Sequence, residues 1–204
     1  MAQTAADILW QTAQSLAGAG PLPPLLFITD PERTPDPEAL MQRLPRGAGV
    51  IYRGFGRPEA LEEATRLAAV ARAGGLVLLI GQDPDLAEKV GADGVHLPER
   101  LLGAGPGLRA RFPHWILTGA AHGEAALEAA AEAGLDAAIL SPVFPSNSPS
   151  AGEALGLGAF SALARAARLP VYALGGIKAA AAPALIGSGA YGLAAIEGVL
   201  EAWS

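Results

Sequence analysis

The chain has 204 residues, 51% of them hydrophobic and 17% charged, and a formal net charge of −6 at pH 7. Such an apolar composition excludes a largely disordered protein, because disordered chains combine few apolar side chains with many charges. The acidic balance, without any cluster of lysine and arginine, argues against a nucleic-acid partner.

The first 20 residues, "MAQTAADILWQTAQSLAGAG", have the spacing of a helix, with Leu9, Trp10 and Leu16 on one face. They lack the basic start of a signal peptide, and no apolar run reaches the roughly 18 residues that a membrane span needs. We therefore expect no membrane partner, and the lack of cysteine leaves a cytoplasmic protein as the simplest expectation. Residues 1–20 are predicted to pack on or beside a domain formed by residues 21–204. The same face can also pack on a second subunit, so a homodimer stays open.

Eight apolar segments of strand length follow along the chain, at residues 25–29, 49–53, 76–80, 93–97, 115–119, 136–141, 170–174 and 192–196. Helical patterns lie between and after them, at residues 36–44, 58–75, 83–91, 123–133, 156–168, 179–188 and 197–203, with a short or irregular piece near 99–110. This alternation predicts parallel βαβ units and a single-domain (β/α)₈ TIM barrel. An open doubly wound sheet is the alternative, but no glycine-rich dinucleotide fingerprint follows the first strand.

In such barrels the active site lies at the carboxyl ends of the strands, and phosphate often binds after strands 7 and 8. Gly175 and Gly176 follow the seventh predicted strand, and the eighth ends at Ala195 and Ile196 before Glu197 begins a short helix. Glycines let backbone N–H groups approach phosphate oxygens, and a helix N-terminus adds a positive dipole end. Paired glycines also form ordinary tight turns, so their position in the barrel decides the interpretation. We predict that a small phosphorylated metabolite binds at Gly175, Gly176, Ala195 and Ile196.

Several short motifs occur in an informative order. The chain reads "LLFITD" at 25–30, "GADGVHL" at 91–97, "SPVFPS" at 141–146 and "ALGGI" at 173–177. In this order they resemble the thiamine-phosphate synthase and thiazole tautomerase family, from about residue 25 to the end of the chain. The resemblance implies a TIM barrel that binds a thiazole phosphate, with the phosphate held by the glycine loop and the end of the eighth strand.

The stretch after the sixth strand, "ILSPVFPSNSPSAGEALGLG", is rich in proline, serine and glycine. In the resembling family this segment closes over the site, so we interpret it as an active-site loop rather than a linker. Ser146 and Ser148 keep the hydroxyl groups that the resemblance assigns to phosphate binding. Pro149 stands where the synthases carry a lysine, and a proline supplies no charge for a diphosphate.

Further departures concern the metal site that the resemblance implies. After the second strand Arg53 matches the family, but Phe55 replaces a lysine. The expected Asn-Asp pair after the third strand reads Gly-Gln at 81–82, and the second acidic ligand falls near Leu101, with Glu99 the nearest acid. Mg²⁺ prefers carboxylate and phosphate oxygens, and a leaving diphosphate needs cations. We therefore predict no metal ligands and no firm cofactor; Mg²⁺ enters only if the chain is a working synthase.

The candidate catalytic residue is His122, just after the fifth strand. In the tautomerase branch a histidine at the matching place is the base that aromatises a thiazole carboxylate phosphate, and imidazole suits proton transfer near neutral pH. A histidine at a helix start can equally be a capping or exposed residue. Arg53 is expected to bind a phosphate or carboxylate, or to pair with Asp30. His96 is expected to be a hydrogen-bonded residue inside the barrel.

Three functions remain open from the sequence. The leading one is a barrel that binds thiazole phosphate, either tautomerase-like or a synthase relative that has lost its diphosphate site. The second is an active thiamine-phosphate synthase, which condenses a pyrimidine diphosphate with thiazole phosphate. It would need Arg53, Ser146, Ser148, Asn147 and one further basic residue in place of the missing contacts. The third is a non-catalytic protein that binds a phosphate ligand.

Overall fold

Eight parallel strands pair in chain order and close into a barrel, because β1 pairs with both β2 and β8. The computed structural model describes residues 2–18, 20–54, 56–146 and 152–204. The strands are β1 Leu25–Ile28, β2 Gly49–Tyr52, β3 Val77–Gly81, β4 Gly94–Leu97, β5 Ile116–Ala121, β6 Ala137–Leu140, β7 Val171–Ala173 and β8 Gly192–Ala195. All eight lie within two residues of the predicted segments. The prediction of a (β/α)₈ TIM barrel is confirmed.

Helices connect most of the strands and cover the outside of the barrel. They are α1 Ala5–Leu16, α2 Pro37–Met41, α3 Ala60–Gly74, α4 Pro84–Val90, α5 Gly105–Arg111, α6 Glu124–Glu132, α7 Gly156–Ala166 and α8 Glu197–Trp203. Two 3₁₀ segments, Glu99–Ala104 and Ala182–Leu185, precede α5 and β8. Within the described ranges, no helix is long and apolar enough to cross a membrane.

The predicted helix at 179–188 is wrong, since this stretch contains only the 3₁₀ segment Ala182–Leu185. Alanine-rich sequence favours a helix, but Pro183 lacks the N–H group that a helix interior needs and clashes with the preceding turn. Gly187 and Gly189 then take φ angles of +79° and +94°, which turn the chain toward β8. Local breakers thus override the alanine propensity.

The N-terminal helix α1 packs against the barrel on the side of β1 and β8, where it also contacts α8. A capping box starts it, because the Thr4 hydroxyl accepts from the Asp7 N–H while the Asp7 carboxylate accepts from the Thr4 N–H. Leu9 and Ala13 are fully buried in the core. The alternative, packing on a second subunit, stays a prediction for the exposed part of this helix.

The side chains of each strand alternate between two cores. Residues that face the helices form one core, and residues that face the barrel axis form the other. The inner core consists of Leu26, Ile28, Ile51, Leu79, Ala137, Ile139, Tyr172 and Ala194. The Tyr172 hydroxyl donates to the Pro23 carbonyl at 2.6 Å, which satisfies the phenol inside the barrel. The interior of the barrel is thus filled by side chains, and TIM barrels bind their ligands beyond the carboxyl ends of the strands.

Strands β4 and β5 pack closely at Gly94, because a Cβ atom there would lie 2.0 Å from the Ile116 carbonyl oxygen. We predict that Gly94→Ala lowers the free energy of unfolding by about 2–3 kcal/mol, since the obstacle is backbone of the neighbouring strand. Urea denaturation measures this change. Gly103→Ala is the control, because nothing lies within 4 Å of its Cβ position. Equal stabilities of the two variants would contradict the packing described for β4 and β5.

Candidate functional site

A cavity of about 120 Å³ opens at the carboxyl ends of the strands, between the loops that follow β1, β2, β5, β6, β7 and β8. Its floor continues the inward-facing pattern of the strands, through Ile28, Arg53, Ser141, Leu174 and Ile196. Polar groups therefore appear on the axis one layer above the apolar inner core. This is the place where TIM barrels bind their ligands.

The cavity brings together most of the site residues that the sequence predicts. Lining it are His122, Arg53, Ser146, Gly175, Gly176, Ala195 and Ile196. Ser148, together with Asn147, Pro149 and Phe55, lies outside the described residues. The roles of the seven lining residues in binding and catalysis remain predictions at this point.

The glycine loop, residues 174–178, lies against the loop that follows β6. Gly175 and Gly176 have φ angles of +99° and +65°, which side-chain-bearing residues rarely adopt. A Cβ atom on Gly175 would lie 2.7 Å from the Pro142 Cα, and one on Gly176 would lie 2.6 Å from the Pro145 carbonyl oxygen. The Phe144 N–H donates to the Gly175 carbonyl at 3.0 Å and joins the two loops. Both the backbone angles and the contact between the loops thus require glycine.

Backbone N–H groups of the glycine loop are left without internal acceptors. In the part of the chain that the structure describes, the N–H groups of Gly175, Gly176 and Ile177 donate to no backbone or side-chain atom. The same holds for Gly198 at the start of α8, whose Cβ position would lie 2.0 Å from the Ile177 carbonyl oxygen. Protein N–H groups need a partner, and several of them around one cavity suit the oxygens of an anion.

Arg53 reaches the cavity floor from the end of β2 and is held by the end of β1. Its Nε donates to the Thr29 carbonyl at 2.6 Å, and its Nη2 lies 2.8 Å from the Asp30 carboxylate. Asp30 also accepts from the backbone and guanidinium of Arg33 at 3.1 and 3.0 Å. Burial raises the pKa of Asp30, but the hydrogen bonds from Arg33 and the charges of Arg33 and Arg53 outweigh it, so the pKa lies below its usual value. Arg53 thus pairs with Asp30 and lines the cavity at the same time.

Further charges extend this pairing along the rim. Arg33 Nη1 lies 3.6 Å from Glu197, Glu197 lies 3.9 Å from Lys178 Nζ, and Lys178 Nζ lies 2.5 Å from Glu201. We call the alternating series Arg53, Asp30, Arg33, Glu197, Lys178 and Glu201 the rim ion-pair chain. Arg33 and Lys178 line the cavity, and neither was predicted as a site residue. The lysine directly after the "ALGGI" motif was the available signal.

His122 stands on the same cavity and is paired with an acid from another loop. Its Nδ1 lies 2.7 Å from Glu99 Oε2, at the start of the 3₁₀ segment after β4. From the sequence, Glu99 was identified only as the acid nearest to a missing metal ligand. Its pairing with His122 was not predicted. A carboxylate at Nδ1 holds the imidazole with a hydrogen on that nitrogen, which leaves Nε2 able to accept a proton.

The region where the resemblance implies Mg²⁺ does not fit that ion. Gln82 replaces the acidic ligand, and its side-chain oxygen accepts from the Arg100 guanidinium at 2.9 Å. Glu99 is occupied by His122. Among the described residues, no three histidine, cysteine or acidic side chains come together in a way that could hold a metal. A guanidinium beside a lone amide oxygen repels a divalent cation, so we assign no step to a metal.

His96 lies inside the barrel, as the alternation of β4 predicts. Its Nδ1 is 3.0 Å from the Thr118 hydroxyl on the neighbouring strand. Burial, and to a smaller extent the charge of Arg53, lower the pKa of His96 to about 4. The ring is therefore neutral at physiological pH and adds no charge to the floor of the site.

Comparison of the sequence with known proteins indicates one family. A family model described as thiamine monophosphate synthase matches residues 25–199. The thiamine biosynthesis bifunctional protein ThiM/ThiE of Symbiobacterium thermophilum is 34% identical over 202 residues, which cover 92% of this chain and 42% of that protein. The chain thus spans less than half of this bifunctional relative. The thiamine-phosphate synthase of Methanoculleus marisnigri is 37% identical over 143 residues, covering 70% of this chain and 68% of that protein.

A solved structure supports the same fold. The thiamine phosphate pyrophosphorylase from Pyrococcus furiosus matches with a TM-score of 0.75 and 24% identity, over 89% of this chain and 92% of that chain. At this identity the match supports the barrel architecture alone. The sequence matches, rather than this superposition, carry the assignment to a family.

The neutral His96 gives a pH-dependent stability that can be measured. Its pKa falls from 6.5 in the unfolded chain to about 4 in the barrel. Between these values only the unfolded state gains a proton, so stability is lost as pH falls from 6.5 toward 4, by about 3 kcal/mol in total. In His96→Gln the residue no longer titrates, and we expect its unfolding free energy to fall less over this range in urea denaturation. Identical pH profiles for the two proteins would show that His96 is not desolvated.

Proposed function

Because the chain belongs to the thiamine monophosphate synthase family, we propose that it binds a thiazole phosphate in the cavity and that His122 transfers a proton on this ligand. One observation carries the proposal. Residues of the glycine loop, whose N–H groups have no acceptor among the described residues, line the same small cavity as His122, which is paired with Glu99. A phosphate anchor and a proton-transfer group are thus available to one bound molecule.

The first part of the proposal concerns binding of the phosphate group of the ligand. The N–H groups of Gly176, Ile177 and Gly198 offer donors from two loops, and Lys178 and Arg33 add positive charge beside them. Local donors are needed, because the chain as a whole carries a net charge of −6 and repels a free anion. Ser146 lines the same wall and adds a hydroxyl group.

At the reacting end, Glu99 accepts the Nδ1 hydrogen of His122, so Nε2 carries the lone pair that acts as base. In a tautomerisation Nε2 takes a proton from a ring carbon of the thiazole, and the electron pair of that C–H bond moves into the ring. A proton returns to another carbon of the same ligand, which leaves its composition unchanged and its ring aromatic. Arg53, fixed by Asp30 and Thr29, is placed to bind a ligand carboxylate.

An active thiamine-phosphate synthase is the second candidate. The names of the relatives favour it, and Arg33 and Lys178 supply basic residues that the missing lysines would otherwise provide. The poor fit of Mg²⁺ near Gln82 and Arg100 opposes it, since a departing diphosphate needs strong charge neutralisation. We therefore rank the proton-transfer function first. A cytoplasmic location is part of this proposal.

Calorimetric titration separates the two functions. We predict that the protein binds thiazole phosphate and does not bind the pyrimidine diphosphate, because the described residues around Gln82 and Arg100 do not fit the Mg²⁺ that a diphosphate needs. Production of thiamine phosphate from both substrates in the presence of Mg²⁺ would establish the synthase instead.

His122→Gln tests the catalytic assignment. It should leave thiazole phosphate binding within about twofold and slow tautomerisation of the thiazole carboxylate phosphate by about 10²–10⁴-fold, which is the range for loss of a general base. Glu99→Gln should slow the reaction less, because the imidazole remains. His114→Gln is the control, since His114 lines a different cavity with Trp115 and Ile116 at the amino end of β5. Full activity of His122→Gln would show that another group transfers the proton, and binding without any reaction in the unmodified protein would favour a non-catalytic binding protein.

A further inference from the structure

The glycine loop is flanked by an acid that a phosphate would have to face. Glu197 lines the cavity directly before Gly198, and its carboxylate lies between Arg33 and Lys178 in the rim ion-pair chain. We propose that Glu197 is an internal competitor for the ligand phosphate, and that a dianionic phosphate monoester displaces it as the partner of Arg33 and Lys178. This inference rests on the proposed function, because it concerns the same site.

The ion pairs of Glu197 are longer than the other ion pairs in the rim ion-pair chain. Its oxygens lie 3.6 Å from Arg33 and 3.9 Å from Lys178, beyond the 2.7–2.9 Å that is usual for a strong charge-assisted hydrogen bond. Its side chain is one-third exposed, so water screens both pairs. The bonds to be broken are therefore weak, and the carboxylate can turn toward solvent while α8 stays in place.

The two cations have second partners that hold them near the cavity during such an exchange. Arg33 keeps Asp30 at 3.0 Å, and Lys178 keeps Glu201 at 2.5 Å. A phosphate at the N–H groups of Gly176 and Ile177 would meet both these cations and the Glu197 carboxylate, because all three residues line the same cavity. A doubly charged phosphate competes for the cations more strongly than a single carboxylate does, and it also repels Glu197 more strongly.

With this arrangement, the site discriminates between ligands by their charge. A dianionic phosphate gains two cations and expels one acid, whereas an uncharged alcohol leaves the ion pairs unchanged. Glu201 acts in the opposite direction to Lys178, because its carboxylate neutralises part of the charge that the ammonium offers to a ligand. Both acids should therefore weaken phosphate binding, although only Glu197 touches the cavity.

Titrations with thiazole phosphate, inorganic phosphate and the unphosphorylated thiazole alcohol test the proposal. We expect Glu197→Gln to bind both phosphates about tenfold more tightly and Lys178→Met to bind them about tenfold more weakly, as for one charge-assisted hydrogen bond gained or lost. Glu201→Gln should strengthen phosphate binding by a smaller factor. Affinity for the alcohol should not change in any variant.

Glu132→Gln is the matched control, because it removes the same charge from an exposed pair with Arg168. It should leave phosphate affinity unchanged, which excludes a general effect of net charge. Phosphate affinity of Glu197→Gln that equals or falls below that of the unmodified protein overturns the inference alone. If neither the unmodified protein nor Glu197→Gln binds thiazole phosphate, the proposed function fails as well. Unchanged circular dichroism and melting temperature establish that each variant is folded.

Discussion

The site depends on the contact between the loops that follow β6 and β7. Pro142 and Pro145 lie so close to Gly175 and Gly176 that neither glycine can carry a side chain, and both adopt positive φ angles. These angles turn the chain away from strand pairing and leave successive N–H groups without acceptors among the described residues. Paired strands could not provide such donors, because their N–H groups are used in the sheet. The N–H groups that we propose to bind an anion are therefore left over from how two loops pack.

The cavity beside this contact is lined by positively charged side chains, although the protein as a whole is negatively charged. The net charge is −6, yet Arg33, Arg53 and Lys178 all line the cavity. Asp30 and Glu197 alternate with them and keep the cations in place before a ligand arrives. The ion pairs thus hold the cations in order, and we propose that an incoming phosphate takes them over. In our account, specificity for a charged ligand and stability of the empty site come from the same ion pairs.

The sequence predicts the fold well because both signals it uses are local. Apolar runs mark the strands to within two residues, and alternation within each strand places His96 inside the barrel. The helix predicted at 179–188 fails where Pro183 interrupts a run of alanines. Ser148, which the motif assigns to phosphate binding, lies outside the described residues, so its role stays a prediction.

Motifs also locate part of the site, namely the glycine loop, Arg53 and His122. The partners of these residues are not predictable in the same way, because they come from distant parts of the chain. Glu99 reaches His122 from the preceding strand's loop, and Arg33 meets Glu197 only because the barrel closes β1 against β8. No spacing rule connects residues that meet through closure of a sheet. Their identification requires the three-dimensional arrangement of the loops.

The central claim is that the N–H groups of the glycine loop bind a phosphate. An NMR titration of the ¹⁵N-labelled protein with thiazole phosphate observes these groups individually. Our account predicts saturable downfield shifts of the Gly175, Gly176, Ile177 and Gly198 amide protons, while the Gly103 amide stays unchanged. Saturable binding that shifts amides elsewhere and leaves these four in place would contradict it.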